Sequence, residues 1–291
     1  MNALSQQPRL VSLAAGVVQE FAPEQVVHAA AEAGFSAVGI WCDLKTWTNQ
    51  RTEKVRRALA ETGITALDIE VVWFKPGEPI DTHDRFVDIA KAIGANNILC
   101  VSSETDVNQT QKRFKHLCQL TEGSDIRVVL EFLAITEIDS LAKAMAVVAA
   151  VPHPAAGILV DTLHLQRTGS TIADLAAIAQ TRTSALTPLL PYMQICDASG
   201  ILIDQSFEGA LDDALHSRRL LGEGELPLEA ILQVVSADIP LSLEIRSRQL
   251  NDQFPNLQAR ASAVFKNARE FFRVLELRHS IEKLCESDQS H

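Results

Sequence analysis

Tyrosine occurs once in this chain, tryptophan three times and cysteine five times among 291 residues. The cysteines, Cys42, Cys100, Cys118, Cys196 and Cys285, are odd in number and share no CxxC spacing. That excludes a disulfide framework and a zinc knuckle and leaves ordinary packed thiols, with only Cys196 near the candidate site. Glycine- or serine-rich linkers and low-complexity stretches are missing, so a single domain over residues 1–291 is expected. No basic run occurs: 26 Lys and Arg are scattered against 37 Asp and Glu, and the net charge of -11 repels phosphate backbones and anionic lipid. Nucleic acid and membrane are therefore not expected partners. No apolar stretch nears the roughly 18 to 20 residues that span a bilayer, and MNALSQQPRL has no apolar core behind a positive charge. A soluble cytoplasmic protein is the expectation.

What is present is a strict alternation. Strand-like runs such as LVSLA, AVGIW, ALDIEVVW, NILCVSS, RVVLEF, GILVD, YMQIC and LSLEI are separated by helical segments. Most of these units repeat about every 30 residues, the spacing of a strand-helix unit with short turns. Pro23 suits a helix start, and Gly34, Gly63 and Gly94 suit helix ends. Continuous apolar runs in alternating units imply a buried parallel sheet, and eight units favour a closed (β/α)8 TIM barrel of the α/β class. An open doubly wound sheet is the rival, although its glycine-rich first turn is missing: the turn reads AAGVVQ. The barrel is placed over about residues 9–276, with eight helices and a last helix ending near Leu277, and 277–291 form a polar tail. A connection from Asp197 to about Leu226 is too long for a turn and reads as a binding loop.

The chemistry lies in the strand ends. Four consecutive runs stop at Glu131, Asp161, Gln194 and Glu244. In a parallel barrel these tips share one mouth, and carboxylates crowded together raise one another's pKa unless a cation intervenes. An all-oxygen set suits Mn2+ or Mg2+ better than zinc. Such an ion would polarise a substrate carbonyl, with Glu131 and Glu244, on nonadjacent strands, accepting and donating the proton. His164, on a loop after Asp161, is placed to touch substrate. Arg246 shares the face of Glu244 and suits a substrate carboxylate or hydroxyl, and Arg218, on the long loop, is a second candidate anion clamp. Trp41 at the end of the second strand is a candidate apolar wall, and Glu70 at the end of the third a candidate substrate contact.

Each residue also has a structural reading. Asp161 or Asp197 caps the following helix, Glu244 and Arg246 form an ion pair, His164 is a satisfied half-buried histidine, Glu70 is structural, and Arg218 and Arg219 are solvated surface. Repetition over four consecutive strands is what favours a site.

On the strand ends LEF, LVDTLHL, MQICDA and SLEIRS, with AAEAGFSAVGIW and RRLLGEGELPL, the chain resembles the xylose isomerase-like barrel superfamily over roughly Leu10 to Phe272. Within it, the similarity is to the sugar phosphate isomerase/epimerase group that also contains endonuclease IV. The resemblance implies Glu131, Asp161, Gln194 and Glu244 as metal ligands, the glutamates as the proton-transferring pair, and His164 near substrate. Gln194 stands where the sugar epimerases carry histidine, a pattern similar to bacterial 3-dehydroshikimate dehydratases. Endonuclease IV fits poorly, since its extra metal-binding histidines are replaced here by Trp41 and by the stretch from Val71 to Phe74. The expected function is a divalent-metal isomerase or epimerase of a sugar, sugar acid or sugar phosphate. The alternatives are a dehydratase of 3-dehydroshikimate or an inosose, and a non-catalytic barrel that keeps the ligands as structure. The expected partner is a small polyol or keto substrate, with homo-oligomerisation left open.

Overall fold

The computed structural model describes residues 9–183 and 187–288, with side chains to residue 278. Eight parallel strands close into one barrel in chain order. They are β1 (Val11–Leu13), β2 (Ala37–Trp41), β3 (Thr65–Phe74), β4 (Asn97–Ser102), β5 (Arg127–Glu131), β6 (Ala156–Asp161), β7 (Met193–Ile195) and β8 (Leu241–Leu243). β8 pairs back onto β1, with Leu13 opposite Leu243, which excludes the open sheet.

Around the strands run α1 (Pro23–Ala33), α2 (Asn49–Thr62), α3 (Asp84–Ile93), α4 (Val107–Leu120), α5 (Leu141–Ala149), α6 (Thr162–Arg167), α7 (Ile172–Ala179), α8 (Phe207–His216), α9 (Leu228–Val234), α10 (Arg248–Gln253) and α11 (Leu257–Asp288). Three short helices exceed the expected eight: α6, α8 and α10 sit in the loops that follow β6, β7 and β8. His164 thus lies on a helix and not on a loop. α11 continues past Leu277 to Asp288, because the polar tail contains good helix formers and no glycine or proline to stop it. Cys285 lies outside the side chains described, and the other four cysteines are free and buried.

Local signals set the helix ends. Gly34 ends α1 in the left-handed region at φ 105°, and a Cβ there would meet the Phe265 ring at 2.6 Å, so both the backbone and α11 require glycine. Thr48, Asp106 and Ser140 cap α2, α4 and α5 through their side chains.

Two apolar layers follow from strand alternation. Leu67, Leu99, Val101, Val129, Leu159 and Tyr192 fill the barrel interior, while Ile98, Val128, Leu130, Ile158, Val160 and Leu243 pack outward under the helices. The inner cluster plugs the barrel, so any ligand must bind above it at the mouth.

Candidate active site

The period of two that buries the interior also aims the site. Two residues beyond inward-facing Val129 comes Glu131, and two beyond inward-facing Leu159 comes Asp161. Register aligns them: Glu131 pairs with Leu159, Asp161 with Gln194, and Gln194 with Ser242. Glu244 follows β8, its N–H donating to Ile195 O at 3.1 Å. All four are buried.

Glu131, Gln194, Glu244, His164, Glu70, Arg218, Arg246 and Trp41 line one cavity of about 240 Å³, and Asp161 reaches it through Arg218. The structure therefore brings the expected side chains together. It corrects one position: Glu70 lies mid-way along β3, not at its end, and accepts from Ala15 N at 3.1 Å. β3 ends in Trp73 and Phe74, and Trp73, held by its indole N–H to Ser103 Oγ at 2.9 Å, joins the cavity wall. The apolar run through Val71 and Trp73 carried no signal separating wall from core.

Arg218 is the feature that spacing could not give. It is buried, donates from Nη1 to Asp161 Oδ2 at 2.5 Å and to Glu244 O at 3.1 Å, and from Nε to Ala214 O at 2.9 Å. Isolated bridges on either side, Ser217 with Ser247 and Asp197 with Arg219, stitch the chain to the ends of β7 and β8 and push Arg218 inward. Arg219 stays exposed. The connection is also tied to α6, since Arg167 Nε donates to Asp213 Oδ2 at 2.7 Å. It presents Leu211, Ala214 and Leu215 to the cavity.

Asp161 meets its structural reading as well: Oδ1 caps α6, accepting from Leu163 N at 2.7 Å and His164 N at 3.3 Å. His164 does not match the satisfied histidine, because neither ring nitrogen has a partner and the side chain is fully enclosed. Glu244 and Arg246 make no ion pair among the described residues; Arg246 instead donates to Gln19 Oε1 at 3.1 Å. Gly16, in the first turn, is explained by the site: a Cβ there would stand 2.3 Å from Glu244 Oε1.

Burial makes the carboxylates of this mouth reluctant to ionise. Desolvation, then the neighbouring Asp161, pushes Glu131 well up; desolvation, then Glu244, does the same to Glu70; and Glu244 is raised by burial against the pull of Arg218 and Arg246. Asp68 in the barrel interior is pushed to about 7, again chiefly by burial, against the opposing pull of the Tyr192 hydroxyl that faces it. Burial lowers His164 to about 4, so the imidazole is neutral at physiological pH.

The donor chemistry suits a divalent cation. Buried carboxylates that resist ionisation call for positive charge, and Glu244 Oε2 is buried without a partner. The enclosure is incomplete in this arrangement: no three His, Cys, Asp or Glu side chains among the described residues gather closely enough to surround an ion, and Arg218 holds one oxygen of Asp161.

The model of the xylose isomerase-like TIM barrel family matches residues 27–273. The chain belongs to this family. Solved structures agree on the fold at identities too low to say more. A xylose isomerase-like TIM barrel/4-hydroxyphenylpyruvate dioxygenase fusion protein superposes with a TM-score of 0.75 at 21% identity, over 95% of this chain and 45% of that one. The chain thus spans less than half the length of that fusion protein. The IOLI protein, described with a bound zinc atom, gives 0.70 at 14% identity over 91% and 97% of the two chains. The probable 3-DHS dehydratase AsbF from Bacillus anthracis gives 0.66 at 18% over 88% and 97%. Among curated proteins no significant match is found. Among the described residues no helix is long and apolar enough to cross a membrane.

Proposed function

We propose that the chain is a divalent-metal enzyme that moves a proton at the carbon next to a carbonyl, isomerising or epimerising a sugar, sugar acid or related keto compound. The observation that carries the reading is the pair Glu131 and Glu244, buried on nonadjacent strands and facing one cavity with raised pKa. Carboxyls that burial holds above their ordinary range are suited to general acid-base work.

Glu131, Gln194 and Glu244, with Asp161, are the residues that would hold the ion, and the all-oxygen set suits Mn2+ or Mg2+. When bound, the ion supplies charge that holds the carbonyl and acidifies the neighbouring C–H. The chain's own groups do the rest. Glu131 and Glu244 address the reacting carbon from two sides, one taking the proton and the other returning it. Neutral His164, with a free ring N–H, donates to a substrate oxygen. Arg246 holds the substrate at the rim, Arg218 orients Asp161 by donating to its Oδ2, and Trp41 excludes water.

A second reading, dehydration of a cyclic polyol ketone, is supported by Gln194 in place of a histidine and needs the same first step. Incubation with Mn2+ and a panel of ketoses, inososes and 3-dehydroshikimate, followed by proton NMR in deuterated water, tests both. Exchange next to the carbonyl is expected, with a new vinyl proton if water is lost and with no exchange after chelation. No exchange with any member of the panel would favour a barrel that keeps these side chains as structure.

A further inference from the structure

Beside the candidate cavity lies a second hollow that the functional reading leaves unused. The loops that follow β1 and β2 form it, with Gln19 and Glu20 on one side and Trp41, Asp43, Thr46 and Trp47 on the other. Both loops are held in place. Pro23 opens α1, and Thr48 caps α2 through its side chain. Arg260 of α11 clamps the first loop, donating from Nη1 to Val17 O at 3.0 Å and to Glu20 Oε1 at 2.6 Å. Asp43 clamps the second, accepting from Lys45 N at 2.9 Å and from Thr46 Oγ1 at 3.2 Å.

The hollow and the candidate cavity share a wall. Trp41 lines both, and Arg246, in the cavity, donates across the divide to Gln19 Oε1, in the hollow, at 3.1 Å. At about 240 Å³ the cavity lies below the roughly 300 Å³ at which ligand pockets usually begin, and it has room for one compact unit. The hollow adds about 420 Å³. Its lining suits a ring with apolar faces and polar edges. Trp47 is buried with its indole N–H turned to Thr52 Oγ1 at 2.8 Å, so ring surface faces the hollow, and Trp41 supplies a second such surface. Gln19 and Glu20 each use only Oε1 in the bonds above, so among the described residues Gln19 Nε2 is a spare donor and Glu20 Oε2 a spare acceptor. Arg51, the basic residue of the lining, is paired with Glu24 at 2.9 Å, while Glu20 and Asp43 disfavour an anion.

We propose that the hollow is a second subsite for a neutral hydroxylated ring, a sugar unit in chemical class, so that the substrate carries two linked rings. One reacts in the candidate cavity and the other stacks beside Trp41 and Trp47. The role of the first ring rests on the functional reading above. The proposal is tested by fluorescence titration of the purified, metal-free full chain with glucose and with maltose, cellobiose, lactose and gentiobiose, because all three tryptophans lie at the two cavities. At least one disaccharide is expected to bind at least about tenfold more tightly than glucose, the effect of a further hydrogen-bonded unit. Thr46→Phe fills the hollow from an exposed position outside the candidate cavity and is expected to bring the disaccharide down to the affinity of glucose. Glu20→Gln, should the first variant not fold, is expected to weaken the disaccharide about threefold or more. No disaccharide binding more tightly than glucose, or an advantage undiminished in both variants, overturns the proposal. Absence of proton exchange with every substrate would sink the enzymatic reading alone, since the disaccharide preference is read as binding to the metal-free chain.

Discussion

Strands β5 to β8 carry Glu131, Asp161, Gln194 and Glu244 at or next to their ends, whereas β2 to β4 deliver Trp41, Val71, Trp73, Leu99 and Val101 to the cavity, with Glu70 the carboxyl on that side. The two halves of one mouth make opposite contributions. The apolar half buries surface and stabilises the barrel, while the polar half buries carboxylates that burial itself holds above their usual pKa. Arg218 offsets part of that cost by pairing with Asp161. The candidate site is thus concentrated where the fold gains least, and the opposite wall packs against it.

Substitutions can break this division, the largest effects falling on chemistry. Glu131→Gln or Glu244→Gln keeps the volume and removes the acid, so proton exchange next to the substrate carbonyl is expected to fall by about 100- to 10,000-fold while circular dichroism stays unchanged. Full exchange in both variants would remove the pair from proton transfer. Arg218→Met leaves Asp161 buried without its partner, and urea unfolding should show a loss of about 3 to 5 kcal/mol. On the apolar side, Trp73→Ala removes a partly buried ring and its bond to Ser103, an expected loss of about 2 to 3 kcal/mol in the same assay. If Trp73→Ala proved costlier than Arg218→Met, the contrast between the halves would be misjudged.

Protonation sharpens the comparison. Glu131, Glu70 and Glu244 have raised folded-state pKa values, so they favour the fold in their neutral form. That contribution is present below the ordinary carboxylate range and is lost as pH rises through the raised values; for Asp68 the loss is complete once pH passes about 7. In the metal-free protein, Glu131→Gln should therefore become more stable relative to the parent as pH rises above the ordinary carboxylate range, measured by thermal melts. A difference independent of pH would mean that Glu131 is not strained by burial. Gly16→Ala is expected to have the smallest effect on stability, under about 1 kcal/mol, because the Glu244 carboxyl it meets is the end of a flexible side chain. It should nevertheless displace that carboxyl and depress activity.

The fold and the strand tips were legible because each apolar run stops at a polar residue, and the period of two fixes which way that residue points. The short helices α6, α8 and α10 were not, since six to ten residues inside loops carry little periodicity. Arg218 lies next to Arg219 in a polar stretch, and which of them turns inward depends on bridges to two strands distant in the chain. Asp161 fitted both of its readings, because one oxygen caps α6 while the other faces Arg218. Asp68 and Tyr192 lie on opposite sides of the barrel, β3 against the base of β7, and no local pattern links them.

Calorimetric titration of the metal-free chain with Mn2+, beside Gln194→Leu and Glu244→Gln, tests the central claim most directly. The account predicts one ion per chain and an affinity at least about tenfold lower in each variant, since each removes a donor oxygen from the set. An ion bound equally well by all three proteins, or by none, would contradict it.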